Sequence, residues 1–279
     1  KIPVTNYQGV VYNFTKEALG WKPTQWSGST SASTVKVKVE QTVANNGTKQ
    51  AAVINITQNP GSVKQGATTF YQFGRKDAFP GVDASKLAAN SHFTEDAGDN
   101  MSIMNGIQHP GSFYSWGGSG GIGSSWRNNY GYYNLWSADN TTIGYNDNSV
   151  IKTVYDPCPV GFKMPASNAF TGFTTTGQYA YMQSQFNVDG AIDRQTYQNN
   201  YGFNFWTNNS KTATINFPAS GCRHYSFGNR IDIGTRGYYW SAVPYDAYYG
   251  CYLDFDLAFV TPLDNFYRSF GMAARPVSE

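Results

Sequence analysis

The sequence predicts a strand-rich α+β fold, and three observations carry that prediction. Glycine (29) and proline (12) punctuate the 279 residues at short intervals, which suits many strands joined by ordered loops. Long amphipathic helical periods are scarce, whereas short alternating or aromatic-rich runs recur. Charged residues make up 14% of the chain and aromatic residues 16%, against a usual charged share of about a quarter. A chain of this length can bury one large core or two modest ones.

Val10-Val11-Tyr12-Asn13-Phe14 is the first strand candidate. In Thr34-Val35-Lys36-Val37-Lys38-Val39 the valines share one face, and Lys36, Lys38 and Glu40 share the other. Ala51-Ala52-Val53-Ile54-Asn55-Ile56 follows, and Asn45-Asn46-Gly47 between the two is a hairpin turn signal. Gln58-Asn59-Pro60-Gly61 breaks the pattern. Residues 1–61 are therefore expected to form a small β segment, sandwich-like, ahead of a main domain over 62–279.

From Thr68 to Pro110 the strand signal weakens, and residues 83–89 suit one or two helical turns. Between 111 and 136, aromatic residues flank the glycine run 117–123, which reads as an exposed loop. In Asp156-Pro157-Cys158-Pro159 two prolines fix φ and remove two donors, which excludes a central strand. Gly161 permits a positive-φ turn, and Met164 before Pro165 is biased to extended geometry. Ser167 is the expected N-cap of a short helical turn that runs through Phe170 and ends before Gly172.

Tyr238-Tyr239-Trp240 reads as an aromatic strand core. In residues 252–259, Leu253, Phe255, Leu257 and Phe259 are expected on a buried face, with Tyr252, Asp254 and Asp256 on the opposite, solvated one. Pro262-Leu263-Asp264-Asn265 is the expected turn, with Phe266 to Arg275 returning to complete a three-stranded antiparallel meander over residues 238–275.

Four motifs fall in order: Tyr155-Asp156-Pro157-Cys158-Pro159-Val160-Gly161-Phe162-Lys163-Met164-Pro165, Phe217-Pro218-Ala219-Ser220-Gly221-Cys222-Arg223, Gly237-Tyr238-Tyr239-Trp240-Ser241-Ala242, and Phe270-Gly271-Met272-Ala273-Ala274-Arg275. Together they resemble the D-P-C-P-x-G … P-A-x-G-x-R … Y-W-S … G-x-x-[VA]-R pattern of a large bacterial surface-protein family related to the C-type-lectin-like fold. That module often closes fimbrillin-like and other lipid-anchored cell-surface proteins. Tyr71-Gln72-Phe73-Gly74-Arg75-Lys76-Asp77 is similar to the segment that precedes it in fimbrillin-like members. The resemblance implies a C-type-lectin-like domain over residues 62–279 and a role in cell adhesion, with other fimbrial subunits among the partners. It also implies an extracellular location, outer-membrane-anchored or fimbrial, after removal of an export signal. The matched residues are mostly aromatic, Gly and Pro, so they specify a scaffold more than a chemistry.

In relatives the cysteine of the Asp-Pro-Cys-Pro motif often pairs with one just after the final arginine, where this chain has Pro276. The three cysteines are expected as buried thiols, with a bridge between Cys222 and Cys251 as the alternative. Sugar-binding C-type lectins hold calcium with acidic and amide triplets, and Trp240-Ser241-Ala242 offers neither Asn nor Asp. Asp139-Asn140 and Asp147-Asn148 read as hydrated turns whose spacing matches no defined calcium loop. No metal and no cofactor are expected.

Catalytic constellations are poor. His92, His109 and His224 show no metal-ligand spacing, and Gly118-Ser119-Gly120 belongs to a glycine run instead of a nucleophile elbow. Asp254 and Asp256 as a glycosidase pair would sit on what reads as a solvated face. The formal charge of +2, with scattered Lys and Arg, argues against nucleic acid. No stretch approaches the apolar length of a membrane span.

The remaining signal is the excess of Tyr, Trp and Asn in loops, which serves sugar stacking and protein contact alike. The expected role is non-catalytic adhesion or ligand binding to a glycan or a surface protein, as a fimbrial tip or accessory subunit. Trp116, Trp126, Tyr130, Trp136, Tyr245, Tyr248 and Tyr249 are the candidate stacking anchors, with Asn128 and Asp246 orienting the ligand. The alternatives are a purely structural pilus or surface component, and a glycan-capture surface lipoprotein.

Overall fold

The computed structural model describes residues 1–27, 33–42, 49–58, 62–81, 94–96, 103–115, 135–138, 143–246 and 248–279. The chain opens with β1 (Ile2–Thr5) and β2 (Val11–Phe14), an antiparallel pair with Val4 opposite Tyr12. Next come β3 (Lys22–Ser27), β4 (Ser33–Thr42), β5 (Lys49–Gln58) and β6 (Ser62–Ala67), with β3 paired to β6 and β4 to β5 as nested antiparallel ribbons. The two strand candidates pair as β4 and β5, with Val37 opposite Ile54 and Lys38 opposite Val53. The Asn45-Asn46-Gly47 turn and the expected helical turns at 83–89 lie outside the described residues.

β7 (Thr69–Gln72), β8 (Phe79–Pro80), β9 (Thr94–Asp96), α1 (Ile103–Gln108), β10 (Ser112–Tyr114) and β11 (Phe162–Lys163) lead into the carboxy-terminal half. There α2 (Arg194–Asn200), β12 (Gly202–Trp206) and β13 (Thr214–Pro218) precede β14 (Cys222–Arg223), β15 (Arg230–Ile231), β16 (Gly237–Pro244), β17 (Tyr249–Phe255), β18 (Val260–Tyr267), β19 (Gly271–Ala274) and β20 (Val277–Ser278). The main sheet runs β15-β14-β19-β16-β17-β18, and β7 joins it beside β19. β19 lies parallel to β16, whereas β16, β17 and β18 are successive antiparallel neighbours.

Both faces of this sheet are covered, so every residue of β16 is buried. Tyr239 enters one core with Leu253, Phe255, Phe203, Phe205 and Phe217. Tyr238, Trp240 and Ala242 enter another with Phe73, Trp136, Tyr252 and Met272. Ring stacking consolidates the first core: Phe173 lies 4.2 Å from Phe205, nearly parallel, and Phe217 meets Phe173 edge-on at 4.9 Å. Such pairs add about 0.5–1.5 kcal/mol beyond the area they bury.

The motifs close loops and tie distant segments together. Asp156 accepts from the Cys158 and Met164 amides at 2.7 and 2.9 Å, and the Lys152 ammonium donates to the carbonyls of Cys158, Pro159 and Phe162. Trp240 Nε1 donates to the Tyr71 carbonyl at 2.8 Å. Gly74 has φ +83°, and a Cβ there would stand 2.2 Å from Leu135 Cδ1, so only glycine fits. Arg275 is 1% exposed and donates to the carbonyls of Thr15, Lys16 and Asn216 while lying 4.2 Å over the Phe217 ring. With Phe14 opposite Val277, and Val4 and Phe14 inside the first core, β1 and β2 pack with the carboxy-terminal half.

Several local expectations are corrected. Ala166 occupies the N-cap position of the 3₁₀ helix Ser167–Phe173, which continues through Gly172. Ser167 Oγ is engaged by the Asn146 backbone instead, accepting its N–H at 2.8 Å and donating to its carbonyl at 3.1 Å. The turn after β17 falls at Asp256–Phe259, where Asp256 Oδ1 accepts the Ala258 and Phe259 amides. Pro262-Leu263-Asp264-Asn265 lies inside β18, so the third strand of the meander is Val260–Tyr267. Asp254 is fully buried, because the far face of β17 packs against a second core instead of water. Cys158, Cys222 and Cys251 are three free, buried thiols.

Candidate functional site

The hairpin joining β16 to β17 presents the part of the predicted site that the structure describes. Asp246 Oδ1 accepts the Tyr248 and Tyr249 amides at 2.6 and 2.8 Å, an Asx turn that fixes the bend. The Tyr245 amide donates across it to the Tyr249 carbonyl at 2.9 Å. Arg268, 2% exposed, donates from Nη2 to the Asp246 carbonyl, and its own amide bonds to the Tyr248 carbonyl at 3.1 Å. Gly250 admits Phe73 beneath the hairpin, since a Cβ there would meet Phe73 Cδ2 at 2.4 Å. The loop is therefore held from both ends and from below.

Rings surround this turn. Tyr245 is 36% exposed and lies 5.2 Å from Tyr145. The Tyr145 hydroxyl accepts from Asn265 Nδ2 at 2.7 Å, and burial pushes that phenol up to about 12. Tyr248 adjoins Tyr249 at 6.2 Å, and Tyr249 lies 5.1 Å from Tyr267 and 6.3 Å from Phe266. Phe266 and Tyr267 pass the contact to Phe270 and Tyr225, and His224 bridges Tyr225 to Phe227. Phe227 is 67% exposed and Phe266 37%. The outcome is a belt of rings at one end of the sheet, beside the hydrogen bonds that Asp246 and Arg268 make in the hairpin.

The predicted anchors divide. Tyr245, Tyr248 and Tyr249 stand together here. Asp246 does not orient a ligand through Oδ1, because that oxygen is spent on the turn. Trp136 is not a surface anchor: it has no exposed area, and its Nε1 donates to the carbonyls of Arg75 and Tyr155 at 3.3 and 3.1 Å. Trp116, Trp126, Asn128 and Tyr130 lie outside the described residues. Sequence reasoning missed His224, Tyr225, Phe227, Phe266 and Tyr267. Their signal was there in Tyr225-Ser226-Phe227 and Phe266-Tyr267, but only the strand order brings the two segments side by side.

A second polar cluster lies along β17. Tyr252 faces Asp264 across the ladder, and an irregularity between Tyr252 and Asp254 brings Asp254 close to both. The Tyr252 hydroxyl lies 3.3 Å from Asp254 Oδ2 and 3.2 Å from Asp264 Oδ2. Arg236 grips Asp254 with Nε and Nη2. Burial pushes Asp254 up to about 6 against the pull of Arg236, and burial raises Asp264 as well. Asp254 and Asp256 do not form a catalytic pair, since one is locked to Arg236 and the other holds the turn.

Asp147 accepts from the Tyr12 hydroxyl and from the amides of Asn6 and Asn168 at 2.6, 2.9 and 3.2 Å, so it crosslinks three segments. Among the described residues, no group of three or more His, Cys, Asp or Glu side chains is placed to hold a metal ion. No helix among them is long and apolar enough to cross a membrane.

Comparison with known proteins adds one match. Residues 187–277 match a family model described as a domain of unknown function, DUF8237. That span holds β12 to β19 and the whole ring belt apart from Tyr145. Searches of the curated proteins and of the solved structures returned no match.

Proposed function

We propose that this chain is a non-catalytic cell-surface protein that adheres to, or captures, a partner through the ring belt at the β16–β17 hairpin. The observation that carries this reading is the combination of Tyr245, Phe266 and Phe227 exposed to solvent on a turn fixed by Asp246 and Arg268. A rigid scaffold presenting rings loses little entropy on binding, and aromatic anchors dominate contact surfaces. The turn's hydrogen bonds use Asp246 Oδ1 and its carbonyl internally, and phenylalanine offers no hydrogen bond, so the belt favours a protein surface over a sugar. Individual contacts of this kind are weak, and display of many copies strengthens them.

The resemblance to fimbrillin-type surface proteins supports an extracellular setting and a C-type-lectin-like scaffold over residues 62–279, with a tip or accessory position in any fimbria. A purely structural pilus component, whose rings touch only sister subunits, is the competing reading. Replacing Tyr245, Tyr248 and Tyr249 together by Ala separates them. Adhesion lost from a panel of immobilised collagen, fibronectin, laminin and mucin, with assembly intact, is the expected result. Assembly lost with adhesion unchanged would favour the structural component.

A further inference from the structure

A second group of rings lies outside the hairpin belt. The segment Tyr179-Ala180-Tyr181 joins the outer edge of β18, with Ala180 opposite Val260 and paired to it by two backbone bonds of 2.9 Å. Ala180 and Val260 have no exposed surface. Alternation therefore turns both neighbouring tyrosines outward, and they are 56% and 65% exposed. Their rings stand 6.0 Å apart at 32°, and Tyr179 lies 6.2 Å from Phe259 at 38°. The Arg236 guanidinium sits 4.9 Å over Phe259 and 5.0 Å over Tyr238. Its Nε and Nη2 serve Asp254, which leaves Nη1 without a partner among the described residues.

These groups form a cluster: two exposed rings, a third partly exposed ring in contact with Tyr179, and a cation over that third ring. The centroid separations of 6.0 and 6.2 Å are comparable to the width of a pyranose ring. The C–H faces of sugars stack on aromatic faces through the ring quadrupole, and hydroxyls accept from a guanidinium held in place. Unlike the hairpin belt, the cluster adds a charged group instead of more apolar rings.

We infer that Tyr181, Tyr179 and Phe259 form a stacking platform for an oligosaccharide, whose hydroxyls meet Arg236 beside it. The inference rests on the reading of the chain as a binding protein, but it uses a different surface from the hairpin. The platform is pre-formed, because the backbone of Ala180, between the two tyrosines, is paired to Val260 at the sheet edge. Binding is calcium-independent, since stacking and hydrogen bonding supply the contacts.

Isothermal titration with cellohexaose, chitohexaose, maltohexaose and mannohexaose tests it. At least one should bind in the presence of a chelator. Tyr179→Ala and Tyr181→Ala should each weaken that binding at least tenfold, while Tyr245→Ala leaves it unchanged. Both tyrosines are more than half exposed, so the variants keep the fold, which a thermal melt checks. The inference is overturned if none of the four titrates, if the double variant binds as wild type does, or if Tyr245→Ala is the variant that abolishes binding. Loss of adhesion to immobilised protein in the double variant, with no sugar bound by wild type, would assign the cluster to a protein partner instead. Failure of the hairpin reading alone would leave the sugar titration intact.

Discussion

Arg236 holds Asp254 in a two-pronged ion pair, although Asp254 has no exposed surface and the arginine side chain is a third exposed. The pair sits where Tyr252 and Asp264 also converge, so one cation is set among buried acidic groups. Removing the cation leaves the buried Asp254 carboxyl beside the Tyr252 phenol and the Asp264 carboxyl. Arg236→Met is therefore expected to cost about 2–4 kcal/mol. That is less than the roughly 3–5 kcal/mol of fully buried pairs, because solvent already screens the arginine. Urea denaturation measures it, and a loss under about 0.5 kcal/mol would show the pair to be dispensable.

The same cluster sets a pH dependence. Asp254 is pushed up to about 6 in the folded protein and Asp264 is also raised, both mainly by burial. Unfolded aspartate titrates near 3.9, so the folded state binds the proton more tightly. The stabilisation is fully present below about pH 4 and is lost as pH rises through about 6. This cluster should make the protein more stable at pH 5 than at pH 7, by an amount on the order of 1–3 kcal/mol. Asp254→Asn should flatten the profile, and an unchanged slope in that variant would remove Asp254 as its source.

Trp136 separates packing from recognition. With no exposed area and two carbonyl acceptors, Trp136→Ala should cost about 3–5 kcal/mol, and Trp136→Phe less. Once refolded at low temperature, Trp136→Phe should still adhere as wild type does. Adhesion lost at full stability would return this residue to the binding surface.

The three cysteines give a chemical test. Burial raises all three thiols above their ordinary range, so the thiolate fraction is small and access is poor. Ellman's reagent at pH 8 should find almost no reactive thiol in the native protein and three in urea without reductant. A count of one in urea would mean that two of the three are bridged.

The strand texture was legible because its signals are local. The strands at 34–39 and 51–56 and the aromatic strand around Trp240 each follow from neighbouring residues. The end of the sheet was misread for a physical reason. Residues 252–259 look amphipathic only if one face meets water, and here a second core covers the face that carries Asp254. Exposure of rings was not legible either. Nothing local separates Tyr245, which stands on a hairpin, from Trp136, which fills a core against Phe73. The ring belt joins residues 224–227 to 266–270 through the sheet, which no local pattern discloses.

The central claim is that the hairpin-end rings exist for contact and not for stability. The most direct measurement compares wild type with the Phe227→Ala/Tyr245→Ala double variant, following adhesion to the immobilised protein and mucin panel and the urea midpoint in parallel. The account predicts adhesion reduced at least tenfold with the midpoint moved by less than about 1 kcal/mol equivalent. Adhesion unchanged, or lost only in step with folding stability, would contradict it.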